Sequence, residues 1–495
     1  MNLLYKIGMA AVMACSLASC LDKYPDNAIL DGEAIQTVAE ADQAVIGIYA
    51  GYKSSALYSG YLTQLPDIQA DLVHAVEGFS NTYGDIWRWN ILATNREVEA
   101  VYGSLYSIIG RCNYFFDNMP KLEAALTDDE QIDKLQGLKG EVYFFRALAY
   151  SELIKCFCKA YEPATAGDEL GVALISSYYK PERMIRASLK DSYDFVLSDL
   201  EKAEGLVDLD KVNNSAYVNK SAVKALMARV YLYMQEWEKA RDCATEVIDD
   251  EYLALSSVNR AYNSKMSYYD FMWKGDAATE IIWKVGFTTT SYGGALGRVF
   301  LNYDHISYKP DYVPSDWTLS LYDYNDKRVA SFFAQKTTGY SHGLTCPLLM
   351  KYNGNEEFLA QNIMHVNMPK VFRLSEQYLI RAEANCRLGK YGDAGKDLTT
   401  LRQARYSTYG SASVGEDNWL EEISNERVRE LYMEGFRLHD LKRWHKGFER
   451  EAQQFTVAPA NTLKVKADDP LFVWPIPQHE LDAPGSEIQP NESNK

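Results

Sequence analysis

The sequence is poor in the residues that most often carry chemistry. It holds 7 histidines and 8 cysteines in 495 residues, and 51 basic residues against 68 acidic ones. The histidines never fall at H-E-x-x-H or another close ligand spacing, which excludes the common helical zinc site. The cysteines form no C-x-x-C pair, which excludes a redox motif of that type and a zinc ribbon. No phosphate-binding G-x-x-x-x-G-K-[ST] loop is present, and YGGALG (292–297) has no βα unit around it to make a dinucleotide fingerprint. The sequence therefore names no cofactor and no metal, although a loop cation held by scattered oxygens would leave no pattern. A formal charge of −17 argues against nucleic acid or anionic lipid as a partner. No run of 18 apolar residues occurs anywhere, so no membrane-spanning helix is expected.

What the first residues do have is a leader. Lys6 is followed by an apolar or small stretch over residues 7–17, too short to cross a bilayer in the mature chain. Leu17, Ala18, Ser19 and Cys20 then resemble a lipobox, the signal after which a bacterial lipoprotein is cut and lipidated on its cysteine. Residues 1–19 read as a signal peptide, Cys20 as the lipidated first residue, and residues 20–28 as a flexible tether. Cys112, Cys156, Cys158, Cys243, Cys346 and Cys386 remain, and most read as small core residues. Export permits disulfides here without demanding them.

Residues 29–495 read as one mainly α unit. VKALMARVYLYMQEWEKARDCATEVI (223–248) and YLIRAEANCRLGKYGDAGKDLTTLRQAR (378–405) match in register: Ala228 with Ala382, Trp237 with Tyr391, Ala240 with Ala394. This is the tetratricopeptide pattern, in which small residues let two helices approach and aromatics fill the gap. A stretched copy pairs 141–157 with 188–207 across an insertion, and Ser188 with Asp191 suits the start of its second helix. Residues 97–119 add another helix. Segments of about 60–96 and 251–370 are rich in Gly, Pro, Asn, Asp, Ser and aromatics, with weak periodicity. Loops of that size are usually functional, so the helices are expected to be scaffold and these segments the binding part. DIWRWNI (85–91) alternates its tryptophans and reads as a strand. The proline-punctuated tail from WPIPQHEL onward is expected to run extended over the surface.

Catalytic patterns fail on context. GYSHG (339–343) fits G-x-S-x-G, but no apolar strand precedes it and no helix follows, as a nucleophile elbow requires. Acidic pairs are plentiful and none is marked as a glycosidase pair. The chain reads as a non-enzyme. Its densest charged motif, NERVRELYMEGFRLHDLKRW (425–444), would place Glu426, Glu430 and Glu434 one turn apart on a helix, with Arg427, Arg429 and Arg437 to pair with them. Such charges are expected to bind that helix to the scaffold.

The same motif closely resembles the C-terminal signature of the SusD/RagB family, outer-membrane nutrient-binding lipoproteins of Bacteroidetes. GEVYFFRALAYSELIKCF, RASLKDSYDFVLSDLEKA, VNKSAVKALMARVYLY, VFRLSEQYLIRAEA and the tail WPIPQHEL…QPN resemble further family blocks, in the family's order. The likeness runs from Cys20 to about Asn491; CFCKAY departs from the family's usual F-G. The resemblance implies tetratricopeptide-like helix pairs with a large, irregular, loop-rich ligand-binding part. It also implies an outer-membrane partner similar to SusC, a TonB-dependent transporter on which this lipoprotein would sit as a lid, facing the cell surface. Its ligand would be an oligosaccharide or polysaccharide.

Family ligand contacts tend to come from the loop after the early helix and from the large insertion, here about 74–83 and 273–317. The expected residues are His74, Phe79, Asn81, Tyr83, Trp273, Tyr292, Tyr312 and Trp317. Rings would stack on sugar faces, while Asn81 and the tyrosine hydroxyls would read hydroxyl groups. Thirty-six tyrosines and 9 tryptophans suit that reading, though most would serve packing. Two other readings stay open: a RagB-like peptide binder with a deeper charged cleft, and a helical-repeat adaptor with no small ligand.

Overall fold

The structure, a computed structural model, describes residues 35–179, 183–207, 215–457 and 462–495. Cys20, the leader and the tether lie outside these residues. The longer helices are α1 (Val38–Gly51), α2 (Tyr61–Gln69), α3 (Arg96–Ala125), α4 (Asp129–Phe157), α5 (Leu189–Leu206), α6 (Lys220–Tyr233), α7 (Trp237–Ile248), α8 (Leu374–Arg387), α9 (Tyr391–Arg405), α10 (Trp419–Glu430) and α11 (Arg437–Arg443). Their starts follow side-chain capping: Thr37, Asn95, Asp128, Ser188 and Asn219 each accept a backbone N–H of the first turn.

The helices pack as neighbours: α3 on α4, α4 on α5, α6 on α7, α7 on α8, α8 on α9. The expected stretched repeat is therefore α4 with α5. Ala228, Ala240, Ala382 and Ala394 are fully buried between the repeats, where a larger side chain would force the helices apart. The scaffold core runs from Val45 and Ile48 of α1 through Phe144, Phe145 and Leu148 of α4 to Leu226 of α6 and Trp283.

Among the described residues, the segments between helices form ten short strands in five antiparallel pairs. These are β1 (Val73–Ala75) with β5 (Tyr312–Pro314), β2 (Leu170–Ala173) with β3 (Arg186–Ser188), β4 (Ile281–Lys284) with β8 (Lys370–Arg373), β6 (Phe333–Thr337) with β7 (Thr345–Leu349), and β9 (Phe448–Arg450) with β10 (Leu463–Val465). The long irregular segment keeps a second core, built on Trp87, Trp273, Phe300, Tyr312, Phe332 and Tyr432. Burial of these rings, rather than periodic structure, holds it together.

Four local expectations change. DIWRWNI is not a strand: Gly84–Trp87 is one helical turn, and Trp89 follows in the left-handed region with φ 57°. Segment 60–96 is not irregular throughout, because α2 lies within it and is almost wholly buried. The 425–444 stretch is two helices. Met433 (φ 58°) and Gly435 (φ 84°) turn the chain between them, and a Cβ on Gly435 would meet the Leu62 carbonyl. The tail does not stay on the surface. Trp474 is fully buried, its indole N–H donates to Gln69 Oε1 at 2.8 Å, and it packs on Phe157.

The charged motif forms a closed network beneath this turn. Glu430 accepts from Arg373 (2.8 Å), Arg405 (2.9 Å) and Arg328 (3.0 Å), each essentially inaccessible to solvent. Glu280 joins Arg373 and Arg405, and Glu434 joins Arg373 and Lys351. Of the arginines in the motif, Arg429 pairs within its helix, with Glu426. Arg427 and Arg437 reach Asp440 and Asp71. Charges from β8, α9, α10, the turn after α10 and the irregular segment are thus neutralised against one another, in place of water.

Candidate functional site

Strand β1 carries the site. It leaves the buried end of α2 and pairs with β5, placing His74 opposite Val313 and Ala75 opposite Tyr312. On its other edge Val76 bridges Thr456. Past Val76 the chain turns out as a loop, with Gly78, Asn81 and Tyr83 in the left-handed region. Neighbouring groups pin that loop. The buried Asp311 carboxylate accepts both Ser80 N–H and Ser80 Oγ–H at 2.8 Å. The Tyr312 hydroxyl donates to the Thr82 carbonyl at 2.6 Å. His342 Nε2 lies 3.1 Å from the Glu77 carbonyl, and Glu77 N–H donates to the Phe455 carbonyl.

Around this loop the irregular segments bring together part-exposed rings. Tyr340, His342 and Phe455 form a continuous stack, with centroids 5.3 and 4.9 Å apart and planes within 20° and 7°. Tyr303 and Tyr308 stack at 4.4 Å, and the Tyr308 carbonyl accepts Gly339 N–H beside the first stack. Gly78 lies against the Tyr340 ring. Phe79 sits edge-on to Tyr312 and under the Arg88 guanidinium, which also donates to Asn81 Oδ1 at 2.7 Å. Tyr83 meets Tyr61 edge-on. Burial, with the Asp311 carboxylate nearby, pushes the Tyr340 hydroxyl up to about 12, and burial raises Tyr308 and Tyr83 too. These hydroxyls therefore stay protonated at neutral pH. Flat rings with polar rims, held rigidly, offer apolar stacking and hydrogen bonding side by side.

The structure separates the residues expected from sequence. Phe79, Asn81 and Tyr83 lie on this face. Tyr292 is exposed but apart, 5.9 Å from Phe358. Trp317 is exposed and faces a different hollow from the ring stacks. Three of the expected rings do not offer a stacking surface. Tyr312 is fully buried and acts by holding the loop. Trp273 is buried among Tyr269, Phe332 and Tyr352, with Lys351 Nζ 4.1 Å from its centre. His74 is 2% exposed, near Trp87. Sequence position could not say which of these rings turn inward. Tyr303, Tyr308, Tyr340, His342 and Phe455 went unselected. LNYDHISY, with two tyrosines and a histidine among polar residues, and Phe455, alone in a polar stretch, were the available signals. GYSHG proves to be the turn of the β6–β7 hairpin rather than a strand-to-helix elbow.

Helix pairs stacked as a scaffold, with a ring-bearing surface made by long insertions, define a helical-repeat protein with a loop-built face. The chain belongs to the SusD/RagB family. A family model described as the SusD family matches residues 334–491, and one described as "starch-binding associating with outer membrane" matches residues 20–232. A SusD-like protein of Formosa agariphila is 24% identical, over 97% of this chain and 96% of its own. The starch-binding protein SusD of Bacteroides thetaiotaomicron is 22% identical, over 71% of this chain and 70% of its own. Among solved structures, a SusD superfamily protein of Bacteroides thetaiotaomicron superposes with a TM-score of 0.79 at 25% identity, covering 92% of this chain and 99% of that one.

Proposed function

We propose that the protein is a glycan-binding lipoprotein of the outer membrane, lipidated at Cys20, which captures an oligosaccharide and passes it to a SusC-like TonB-dependent transporter. The observation that carries this reading is the ring face: two stacked ring groups, linked by the hydrogen bond from Gly339 N–H to the Tyr308 carbonyl, beside a pinned loop bearing Phe79, Asn81 and Tyr83. Sugar rings present apolar C–H faces and equatorial hydroxyls, which match tyrosine rings and their protonated hydroxyls. The exposed Asn81, oriented by Arg88, adds amide N–H donors. A relative that is named as starch-binding agrees with this. The protein binds and does not transform its ligand. Transfer to a transporter and the surface-facing anchor rest on family resemblance.

The test is affinity electrophoresis of soluble residues 21–495 through gels containing plant, host or microbial polysaccharides, with a mixed-peptide control. At least one glycan is expected to retard the protein, and Tyr308→Ala with Tyr340→Ala is expected to abolish that shift. Peptide binding without glycan binding would overturn the reading. Co-purification of the full-length lipoprotein with a TonB-dependent barrel tests the partner.

A further inference from the structure

The end of β1 opposite the ring loop opens into a separate cavity of about 370 Å³. Its lining shares no residue with the ring stacks. The cavity has a fixed ring wall. Trp317 stands in the first turn of the helix Asp316–Ser320, whose start is capped by the buried Ser315. Ser315 Oγ also donates to the Asp71 carbonyl at 2.9 Å, tying that helix to the strand. Arg437 lies 5.1 Å from the indole centre and is itself clamped by both oxygens of Asp71, at 2.8 and 2.7 Å. The guanidinium covers one face of the ring, and the ring stays 39% exposed.

The other walls are polar. Gln453 is locked, accepting from Asp316 N–H at 2.9 Å and donating to the Pro314 carbonyl at 3.1 Å. The carboxylates of Asp316 and Glu451 are in exposed residues and join no ion pair among the described residues. His74 lines the floor. It is 2% exposed, and its Nδ1 is buried with no hydrogen-bond partner among the described residues. Leaving that atom unpartnered is costly.

We propose that this cavity is a second carbohydrate subsite, which takes a sugar residue bearing hydroxyls but no carboxylate or sulfate. The sugar's C–H face lies on the open face of Trp317. Its hydroxyls donate to Asp316 and Glu451, and one of them pairs with the edge of His74. Burial, aided by the Arg450 charge, pushes His74 down to about 3, so its ring stays neutral and pairs without charge at ordinary pH. An anionic sugar would enter beside the unpaired carboxylates of Asp316 and Glu451, while Asp71 is paired with Arg437, Glu449 with Lys464, and Arg450 is already held by the carbonyls of Trp87 and Ala70. That electrostatic cost selects against it.

The inference rests on the glycan reading above, and the test separates the two. Starch, xyloglucan and galactomannan serve as neutral probes, and polygalacturonate and heparin as anionic ones, in affinity electrophoresis of residues 21–495. Wild type is expected to be retarded by a neutral probe and not by the anionic ones. Trp317→Ala is expected to weaken that retention about tenfold, the loss of one stacked contact. Glu451→Lys, a surface change that leaves the fold alone, is expected to weaken neutral retention and admit polygalacturonate. If both variants bind like wild type while Tyr308→Ala with Tyr340→Ala does not, the second subsite is refuted and the glycan reading stands. Retention by anionic probes alone refutes the proposed selectivity. No retention of wild type by any probe overturns both.

Discussion

The Tyr312 hydroxyl and the Thr82 carbonyl, 2.6 Å apart, join the strand that the core buries to the loop that bears Phe79, Asn81 and Tyr83. Tyr312 touches no solvent, yet it fixes where Phe79, Asn81 and Tyr83 stand. Tyr312→Phe keeps the packing and removes only the donor. It is expected to cost about 1–2 kcal/mol of stability and to weaken glycan retention without changing which glycan is bound. Thermal unfolding and affinity electrophoresis on the same sample check both parts.

The arginine–glutamate network should fail as a unit. Burial pushes the Glu430 carboxyl up, but Arg405, Arg373 and Arg328 overcome it and hold the group well below the usual carboxylate range. Glu430→Gln leaves buried guanidinium charge uncompensated and is expected to cost about 3–5 kcal/mol, read as a lowered urea midpoint. A cost within about 0.5 kcal/mol would show that the network does not hold the scaffold.

His74 gives a pH signature of known sign. Its folded pKa, about 3, lies below the ordinary histidine value of 6.5. Between those values the unfolded chain takes a proton that the folded chain refuses. Stability therefore falls as pH drops from 6.5 toward 3. His74→Phe is expected to flatten that part of the unfolding free-energy profile, and an unchanged slope would assign the effect to other groups.

Gly435 separates α10 from α11 at φ 84°. Gly435→Ala adds a Cβ that meets the Leu62 carbonyl in a conformation L-residues rarely adopt. The expected loss is about 1–3 kcal/mol, and a neutral substitution in thermal unfolding would show that the turn can relax.

Much of the scaffold was legible in the residues. The match of Ala228 to Ala382 and of Ala240 to Ala394 gave the repeat, because a small residue at a helix crossing is a local requirement. The split of 425–444 was less legible. Its charges fit one helix, and only the approach of Leu62 shows why Gly435 must turn the chain. Which rings of the candidate site face outward was not legible residue by residue. Phe79, Asn81 and Tyr83 lie on the ring face, whereas Trp273 and Tyr312, of the same residue types in the same kind of stretch, are core.

By itself the sequence determined the helix pairs and the segments too irregular to be scaffold. Each depends on periodicity, capping or composition over a few neighbouring residues. The tertiary structure decided which rings face solvent, that Trp474 of the tail enters the core, and that the arginines of β8 and α9 meet Glu430 of α10. Those outcomes depend on contacts between residues far apart in the chain. A tyrosine in an aperiodic loop carries no local mark of whether its ring turns inward or outward.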